Sequence, residues 1–291
     1  MAIQKIGVVG FGAMGSGIAQ ACAQAGFDVV VREVDHGAIE RGFASMDGSL
    51  ARLVKGGRAS EGDAKAARQR IRPTISLEDL RDCDIVIEAV LEIMGTKREV
   101  FAELDRCCKA ETIFTSNTSS LPITDMAAVT KRADRFAGLH FFNPVAVMQL
   151  VEVVRGVTTS DETMSTLRAF VEKLGKTPVI CKDTPGFVVN KLLVPYMIGA
   201  IRLLEQDVAS PEDIDAAVKL GLRHPMGPFE LLDYTGLDIA MHVADVLYDE
   251  FKDPSMAPPP LLRRLVAAGH LGKKSGRGFY EYDEKGERKK P

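Results

Sequence analysis

The stretch Ile3–Gly15, with the sequence IQKIGVVGFGAMG, decides the fold class of this chain. An apolar, strand-like run ends at Gly10, and Gly10, Gly12 and Gly15 form the pattern Gly-x-Gly-x-x-Gly at the start of a helical stretch, Met14–Ala25. Gly10 permits a tight turn, Gly12 lets backbone approach a pyrophosphate, and Gly15 lets the helix pack against the strand. The helix N-terminus would offer N–H groups to phosphates. The stretch therefore predicts a dinucleotide-binding strand–turn–helix unit.

Glu33 stands at the end of the second predicted strand. An acid there would accept hydrogen bonds from the adenosine ribose hydroxyls and would repel a 2′-phosphate, which favours NAD over NADP. Arg32 beside it weakens that preference. The alternative is a purely structural turn with an acid at the surface.

The rest of the first 180 or so residues repeats this alternation of strand-like and helical runs, and several of the strands are continuously apolar. Such runs are typical of a parallel sheet covered by helices on both faces. We therefore expect an α/β fold, a Rossmann-type doubly wound sheet. The predicted strands are Ile3–Val9, Asp28–Arg32, Ile85–Ala89, Thr112–Ser116, Phe136–Phe141, Leu150–Val154 and Thr177–Ile180; clear helical stretches include Thr96–Cys108 and Asp161–Leu174.

Two segments depart from this alternation. Residues 35–70 form a long helical stretch rich in Lys and Arg, which we expect to project as a helical pair with its turn at Gly56-Gly57. After Thr184-Pro185-Gly186 the strand signal stops, and only helices are predicted. The expected domains are therefore residues 1–184 and a helical C-terminal domain, residues 185–291. The predicted C-terminal helices are Phe187–Gln206, Ser210–Leu220, Phe229–Tyr248 and Pro260–Ala268, with a frayed tail from Asp283.

Composition narrows the function classes. The 291 residues carry 37 Lys and Arg against 40 Asp and Glu, so the net charge gives no electrostatic case for nucleic acid or an anionic membrane as partner, and only a local basic patch stays open. No apolar run approaches the length of a membrane span, and no signal peptide is expected. Five cysteines without a Cys-x-x-Cys pair predict a reducing, cytoplasmic location and no metal site.

A histidine and a glutamate lie in neighbouring apolar strands. His140 lies near the end of one predicted strand and Glu152 inside the next. An ionised carboxylate in an apolar strand is costly unless it is paired, and pairing with His140 would also fix the imidazole tautomer for proton transfer. The alternative is a core histidine and a glutamate that points to solvent.

Polar residues also follow two other predicted strands. Residues 116–120, Ser-Asn-Thr-Ser-Ser, follow one, and Glu92 and Lys97 follow another. Ligands of doubly wound sheets bind at the carboxyl ends of strands, so a nucleotide or substrate site is expected there. Helix capping and a solvated helix start are the alternatives.

Several strings resemble the 3-hydroxyacyl-CoA dehydrogenase family, and the resemblance extends from about residue 3 to 282. Its short bacterial members that act on 3-hydroxybutyryl-CoA are the most similar. The strings are GFGAMGSGIAQ, SNTSSLPIT, RFAGLHFFNPVAVMQLVEVV, DTPGFVVNKLLVPY, LGLRHPMGPFELLDYTGLD and LGKKSGRGFYEY. The resemblance implies NAD-dependent oxidation of an (S)-3-hydroxyacyl-CoA by a homodimer that forms through the helical domain.

The resemblance also implies residue roles. His140 would be the general base and Glu152 its orienting partner, with Ser119 and Asn190 around the substrate oxygen. Cofactor contacts would come from Glu33, Glu92, Lys97, Asn143 and Lys274, and coenzyme A contacts from Ser49 and Lys55. The family often reads Lys-Lys-Gly-Lys where this chain has Lys55-Gly56-Gly57-Arg58, so one lysine of the coenzyme A contact is missing.

Two other functions stay open from the sequence. One is a dehydrogenase of a small hydroxy acid or sugar acid without coenzyme A. The other is a catalytically silent NAD-binding protein. The basic stretch Arg41–Arg58 favours coenzyme A, and the intact set of His140, Glu152, Ser119 and Asn190 favours catalysis.

Overall fold

A computed structural model describes residues 3–289, and the chain divides between Thr184 and Pro185 into two compact units. The described part of the first unit contains one eight-stranded sheet, in the order β3-β2-β1-β4-β5-β6-β7-β8. Strands β1 to β6 are parallel, β7 runs antiparallel to β6, and β8 is parallel to β7. The expected doubly wound α/β fold is confirmed. The strands are β1 Lys5–Val9, β2 Asp28–Arg32, β3 Ile71–Thr74, β4 Ile85–Glu88, β5 Ile113–Ser116, β6 Phe136–Phe141, β7 Leu150–Arg155 and β8 Thr177–Lys182.

Helices cover both faces of this sheet. Helices α1, α2, α3 and α6 bury their apolar sides in a core with alternate residues of the strands. On the other face α4 and α5 pack together, and the ring of Phe101 of α4 makes a tilted contact with Phe114 and an edge-on contact with Phe136. The helices of this unit are α1 Ala13–Gln24, α2 His36–Lys55, α3 Glu61–Gln69, α4 Met94–Cys107, α5 Ile123–Ala127 and α6 Asp161–Lys173.

The edge strand β3 was not predicted. Its four residues, Ile-Arg-Pro-Thr, follow directly on α3 and pair in parallel with β2. Proline has no N–H to donate, so within sheets it occurs mainly in edge strands. Pro73 also interrupts the apolar pattern, so this strand is not detected from the sequence. The preceding helical stretch is two helices: Gly56 caps α2, and Gly57 has a φ of +69°.

The second unit is helical, with α7 Val189–Glu205, α8 Pro211–Leu222, α9 Pro228–Thr235, α10 Leu237–Phe251 and α11 Pro260–Ala267. The prediction of one helix over Phe229–Tyr248 is wrong. Gly236 separates α9 from α10, because its φ of +104° lies outside the helical region and favours glycine.

The prediction of a frayed tail from Asp283 is also wrong for the described residues. The Asp283 N–H donates to the Glu287 carbonyl at 2.9 Å, and Tyr282 forms an antiparallel bridge with Arg288. The Arg288 guanidinium lies 2.6 Å from the Glu212 carboxylate at the start of α8. These contacts order the tail through Lys289, and the last two residues of the prediction lie outside the described range.

Candidate active site

The carboxyl ends of β1 and β4 meet where the strand order reverses, the point at which doubly wound sheets bind ligands. The Ala89 N–H donates to the Val9 carbonyl at 2.7 Å. Gly10 has a φ of +90°, and a Cβ there would lie 2.5 Å from the Ala89 carbonyl oxygen. A Cβ on Gly15 would lie 1.9 Å from the Gly10 carbonyl oxygen, whereas one on Gly12 would meet nothing within 4 Å. Packing thus requires glycine at positions 10 and 15, whereas Gly12 leaves the backbone accessible to a ligand.

The start of α1 suits a pyrophosphate. Gly12 is its N-cap and provides no side-chain cap, and the first turn carries no acidic residue. The first amides of a helix have no partner within the helix and lie at the positive end of its dipole. The residues of this turn therefore fit the phosphates of a dinucleotide.

Glu33 lies against the same turn. Its carboxylate accepts hydrogen bonds from the Phe11 N–H at 2.6 Å and from the Val34 N–H at 2.9 Å. The neighbouring Arg32 donates from Nε to the Ile75 carbonyl at 3.3 Å, which draws its guanidinium toward the residue after β3. The carboxylate is therefore fixed beside the glycine-rich turn, where it can receive ribose hydroxyls.

Two glutamates and one lysine form a charged cluster at the carboxyl end of β4. Lys97 Nζ lies 2.7 Å from Glu88 Oε1 and 3.1 Å from Glu92 Oε2. The Lys97 and Glu88 side chains are 1 % and 0 % exposed, so the ammonium is held almost entirely by protein groups. Glu88 was not predicted as a site residue, although the reasoning applied to Glu152 would have found it: it is an acid inside an apolar strand.

Burial and charge act in opposite directions on the pKa values of these acids. Burial raises the pKa of Glu88 above its usual value, and the Lys97 charge only partly opposes this. Burial also acts to raise the pKa of Glu92, but Lys97 and hydrogen bonds from Thr118 and Ser119 outweigh it and leave that pKa lowered. Glu92 is therefore the more firmly ionised of the two carboxylates.

The polar loop after β5 is tied to this cluster and to β6. Glu92 Oε1 accepts hydrogen bonds from the Thr118 hydroxyl and, at 3.0 Å, from the Ser119 N–H. Asn117 Oδ1 accepts from the Phe141 N–H at 2.8 Å. The backbone of Ser119 is thereby held in place. Two residues earlier, Asn117 links the loop directly to the end of β6, the strand that carries His140.

His140 and Glu152 face each other across the antiparallel pair β6–β7. Residues directly opposite in such a pair share one face of the sheet. Nδ1 of His140 lies 2.6 Å from Oε2 of Glu152, and the residues are 6 % and 0 % exposed. With a carboxylate as acceptor, Nδ1 carries the proton, so Nε2 is the basic nitrogen of the neutral ring.

The turn between these strands is anchored at two points. Lys176 Nζ donates to the carbonyls of Val145 and Met148 at 2.6 and 2.7 Å. A Cβ on Gly17 of α1 would lie 2.9 Å from the Val145 Cβ, so this glycine lets the turn approach the dinucleotide helix closely. Asn143, the predicted nicotinamide contact, is exposed in this anchored turn. Lys176 was not predicted.

The other four predicted site residues lie on different elements, two on α2 and two in the C-terminal unit. Ser49 is half-buried on α2, and Lys55 is exposed in its last turn. In the C-terminal unit, Asn190 lies half-buried in the first turn of α7, and Lys274 pairs with Asp238 at 2.6 Å. Among residues 3–289 no cluster of His, Cys, Asp or Glu could hold a metal ion, and no helix could span a membrane.

A doubly wound sheet, a glycine-rich turn with an acid after β2, and a buried His–Glu pair together define a dinucleotide-dependent dehydrogenase. Residues 5–184 match the family model described as "3-hydroxyacyl-CoA dehydrogenase, NAD binding domain", and residues 186–282 match the one described as "3-hydroxyacyl-CoA dehydrogenase, C-terminal domain". The chain therefore belongs to the 3-hydroxyacyl-CoA dehydrogenase family, and the resemblance seen in the sequence is confirmed.

Three relatives illustrate the match. A probable 3-hydroxybutyryl-CoA dehydrogenase of Bacillus subtilis is 50 % identical over 285 residues, 98 % of this chain and 99 % of that protein. The crystal structure of the (S)-3-hydroxybutyryl-CoA dehydrogenase PaaH1 of Ralstonia eutropha is 47 % identical with a TM-score of 0.93, covering 97 % and 100 % of the two chains. An NAD⁺-dependent dehydrogenase of a pyridine carboxylic acid is 32 % identical with a TM-score of 0.77, covering 98 % and 92 %.

Proposed function

We propose that the protein interconverts (S)-3-hydroxyacyl-CoA and 3-oxoacyl-CoA with NAD as cofactor, with 3-hydroxybutyryl-CoA and acetoacetyl-CoA as the substrate pair. Membership of the dehydrogenase family and the identity to named 3-hydroxybutyryl-CoA dehydrogenases support the reaction and the short chain length. The observation that carries the catalytic role is the buried His140–Glu152 pair in direct register across β6 and β7.

The bound nicotinamide supplies the acceptor, or in reverse the donor, of the hydride at C3. His140 supplies the proton chemistry: Nε2 takes the proton of the C3 hydroxyl as the alcohol is oxidised and returns it in the reverse direction. Positive charge then develops on the imidazole, and the Glu152 carboxylate at Nδ1 stabilises it. A positioned base of this kind contributes about 10²–10⁴-fold to the rate.

The remaining site residues bind and orient. We assign Ser119 and Asn190 to the substrate oxygen. Residues 1–184 bind the cofactor through Gly10, Gly12 and Gly15 with Glu33, Glu92, Lys97 and Asn143, and residues 185–291 add Lys274 and the dimer contact.

Ser49 and Lys55 are assigned to coenzyme A. They lie six residues apart on α2, and Arg52 between them is also exposed. Cationic side chains on an exposed helix can attract the phosphates of coenzyme A at a distance from the reacting carbon.

A homodimer formed through the C-terminal unit belongs to the same proposal. Several large apolar side chains of this unit are exposed, among them Leu192 at 71 %, Leu220 at 83 % and Leu222 at 63 %. Exposed apolar surface of this kind marks interaction sites, and twofold dimers are the commonest assemblies.

The cysteines among residues 3–289 are unpaired, which supports a reducing, cytoplasmic location.

A dehydrogenase of small acids is the second candidate, because one relative acts on a pyridine carboxylic acid according to its name. NADH oxidation with acetoacetyl-CoA, acetoacetate and longer 3-oxoacyl-CoAs separates the candidates. We expect kcat/KM to be highest for acetoacetyl-CoA and much lower for the free acid. Faster turnover of the free acid would favour the second candidate, and no turnover of any of these would favour a silent NAD-binding protein.

A further inference from the structure

The buried acid Glu88 has no part in the chemistry described above, yet it is surrounded by polar groups. Oε1 accepts hydrogen bonds from Lys97 Nζ and from the Val90 N–H, both at 2.7 Å. Oε2 accepts from the Ser116 hydroxyl at 2.6 Å. A carboxylate with no exposure is costly to ionise, and such an arrangement persists only with partners of this kind.

Glu88 reaches the Ser119 loop by a first route through charge. Its partner Lys97 also binds Glu92, at 3.1 Å. Glu92 in turn accepts the Thr118 hydroxyl and the Ser119 N–H. Lys97 is therefore bound by both carboxylates. Glu88 pairs with its ammonium group in the protein interior, and Glu92 connects Lys97 to the loop.

A second route passes through a hydroxyl. Ser116 donates to Glu88, and its oxygen accepts the Thr118 N–H at 3.3 Å. The Thr118 hydroxyl oxygen then accepts the N–H groups of Ser120 and Leu121, at 3.3 and 2.9 Å. The two routes start at Glu88 and meet at Thr118, so they form a closed ring of hydrogen bonds around the loop.

We propose that Glu88 is a positioning residue for this dehydrogenase: it fixes the loop of residues 118–121, and with it Ser119, by holding Lys97 and Ser116 at once. This inference rests on the proposed role of Ser119 in binding the substrate oxygen. Glu88 is assigned no contact with substrate or cofactor, and it acts on the loop only through Lys97 and Ser116. Displacement of a substrate-binding group by about 1 Å can cost up to about 100-fold in rate.

Hydrogen exchange tests the positioning directly and needs no activity. In Glu88→Gln one acceptor is replaced by an NH₂ group, so one of the two routes is broken, and we expect faster exchange of the amides of residues 118–121. Ser116→Ala breaks the second route alone and should accelerate the same amides, which keeps the test valid if Glu88→Gln folds poorly.

Asp84 supplies a matched control. It is a mostly buried acid just before the other end of β4, it pairs with Lys109 at 2.7 Å, and it accepts the N–H groups of Gln4 and Lys5. Asp84→Asn should destabilise the first unit without changing exchange at residues 118–121. Unchanged exchange in both Glu88→Gln and Ser116→Ala, or equal acceleration in Asp84→Asn, would overturn the proposal.

A double-mutant cycle then tests the link to turnover. We expect Glu88→Gln to lower kcat for acetoacetyl-CoA by about tenfold or more in the wild-type background, but by less than about twofold in Ser119→Ala. Equal losses in both backgrounds would show that Glu88 does not act through Ser119. If the wild type fails to reduce acetoacetyl-CoA, the proposed function fails on its own, and the exchange experiment still decides whether Glu88 holds the loop.

Discussion

Among single residues, we propose that Glu33 sets the preference for NAD over NADP. Its carboxylate is fixed by the Phe11 and Val34 amides, whereas Arg32 is drawn to the Ile75 carbonyl. We expect kcat/KM for NADH to exceed that for NADPH, because the carboxylate accepts ribose hydroxyls and repels a 2′-phosphate. Glu33→Gln should reduce the ratio by about tenfold, on the scale of a charged hydrogen bond. Parallel steady-state kinetics with both cofactors check this, and a wild-type ratio of one or less would show that Arg32 dominates.

Residues that are unusual at their own position in the sequence were easier to select as site candidates than residues whose contacts are all distant in the chain. Glu33, His140 and Glu152 stand out in the sequence because a charged or polar side chain within an apolar run, or directly after a strand, requires a structural or functional explanation. Lys176 gives no such signal, because a lysine in a turn before a strand is ordinary. Its role depends on two carbonyls about 30 residues earlier in the chain, and only the folded structure brings these groups together.

Helix α2 is the element that we assign to coenzyme A. Lys55→Ala should raise KM for acetoacetyl-CoA several-fold and leave KM for NADH unchanged, since exposed phosphate contacts are individually weak. With an acetoacetyl thioester of pantetheine, which lacks the nucleotide, the variant and wild type should be nearly equal.

Lys65→Ala on the neighbouring helix α3 is a matched control, because Lys65 is an exposed lysine as well. It should leave KM for both thioesters unchanged. If Lys55→Ala instead impairs both thioesters alike, Lys55 supports the fold, and the assignment of α2 to coenzyme A is wrong.

The C-terminal segment is held by a buried acid, which makes its stability depend on pH. Asp233 accepts the N–H groups of Phe279 and Tyr280 and the Tyr282 hydroxyl, each within about 3 Å. Burial raises the pKa of Asp233 above its usual value, and these hydrogen bonds only partly oppose the rise. The folded state therefore binds this proton more tightly than the unfolded chain, whose aspartates have a pKa of about 3.9.

A raised pKa fixes the sign of the effect. The stabilisation linked to this proton is complete below about pH 3.9 and is lost as pH rises through the higher pKa of the folded state. The free energy of unfolding of wild type minus that of Asp233→Asn should thus fall as pH rises from about 3.9 through the folded-state pKa. All five tyrosines lie beyond residue 190, and the chain has no tryptophan, so tyrosine fluorescence in urea follows the C-terminal unit. A difference that rises with pH would contradict the assignment.

Elements were predicted well where the apolar pattern is long and regular, as in β1, α1 and β6. The failures at β3 and at the boundary between α9 and α10 have local causes. Pro73 interrupts the pattern of a four-residue edge strand, and the single residue Gly236 separates two helices whose apolar pattern runs on without a break. A helical pattern tolerates one glycine, so sequence alone does not show that the chain turns there.

At the scale of the whole molecule, the exposed leucines of the C-terminal unit predict assembly. Light scattering at micromolar concentration should give about twice the chain mass of 31.6 kDa. Leu220→Glu should shift the mass toward the monomer, because a buried charge at an interface is costly. Leu91→Glu, at a leucine of the first unit that is also largely exposed, should leave the mass unchanged. A wild-type mass near 31.6 kDa would refute the dimer.

We propose that His140 and Glu152 act as one catalytic unit on a 3-oxoacyl-CoA. The most direct measurement is kcat for NADH-dependent reduction of acetoacetyl-CoA by the wild type, His140→Gln, Glu152→Gln and the double variant, with NADH affinity measured on each. We predict that His140→Gln lowers kcat at least 100-fold with NADH binding nearly unchanged, that Glu152→Gln is also impaired, and that the double variant loses little more than His140→Gln alone. A His140→Gln enzyme that keeps more than a third of the wild-type kcat would contradict the account.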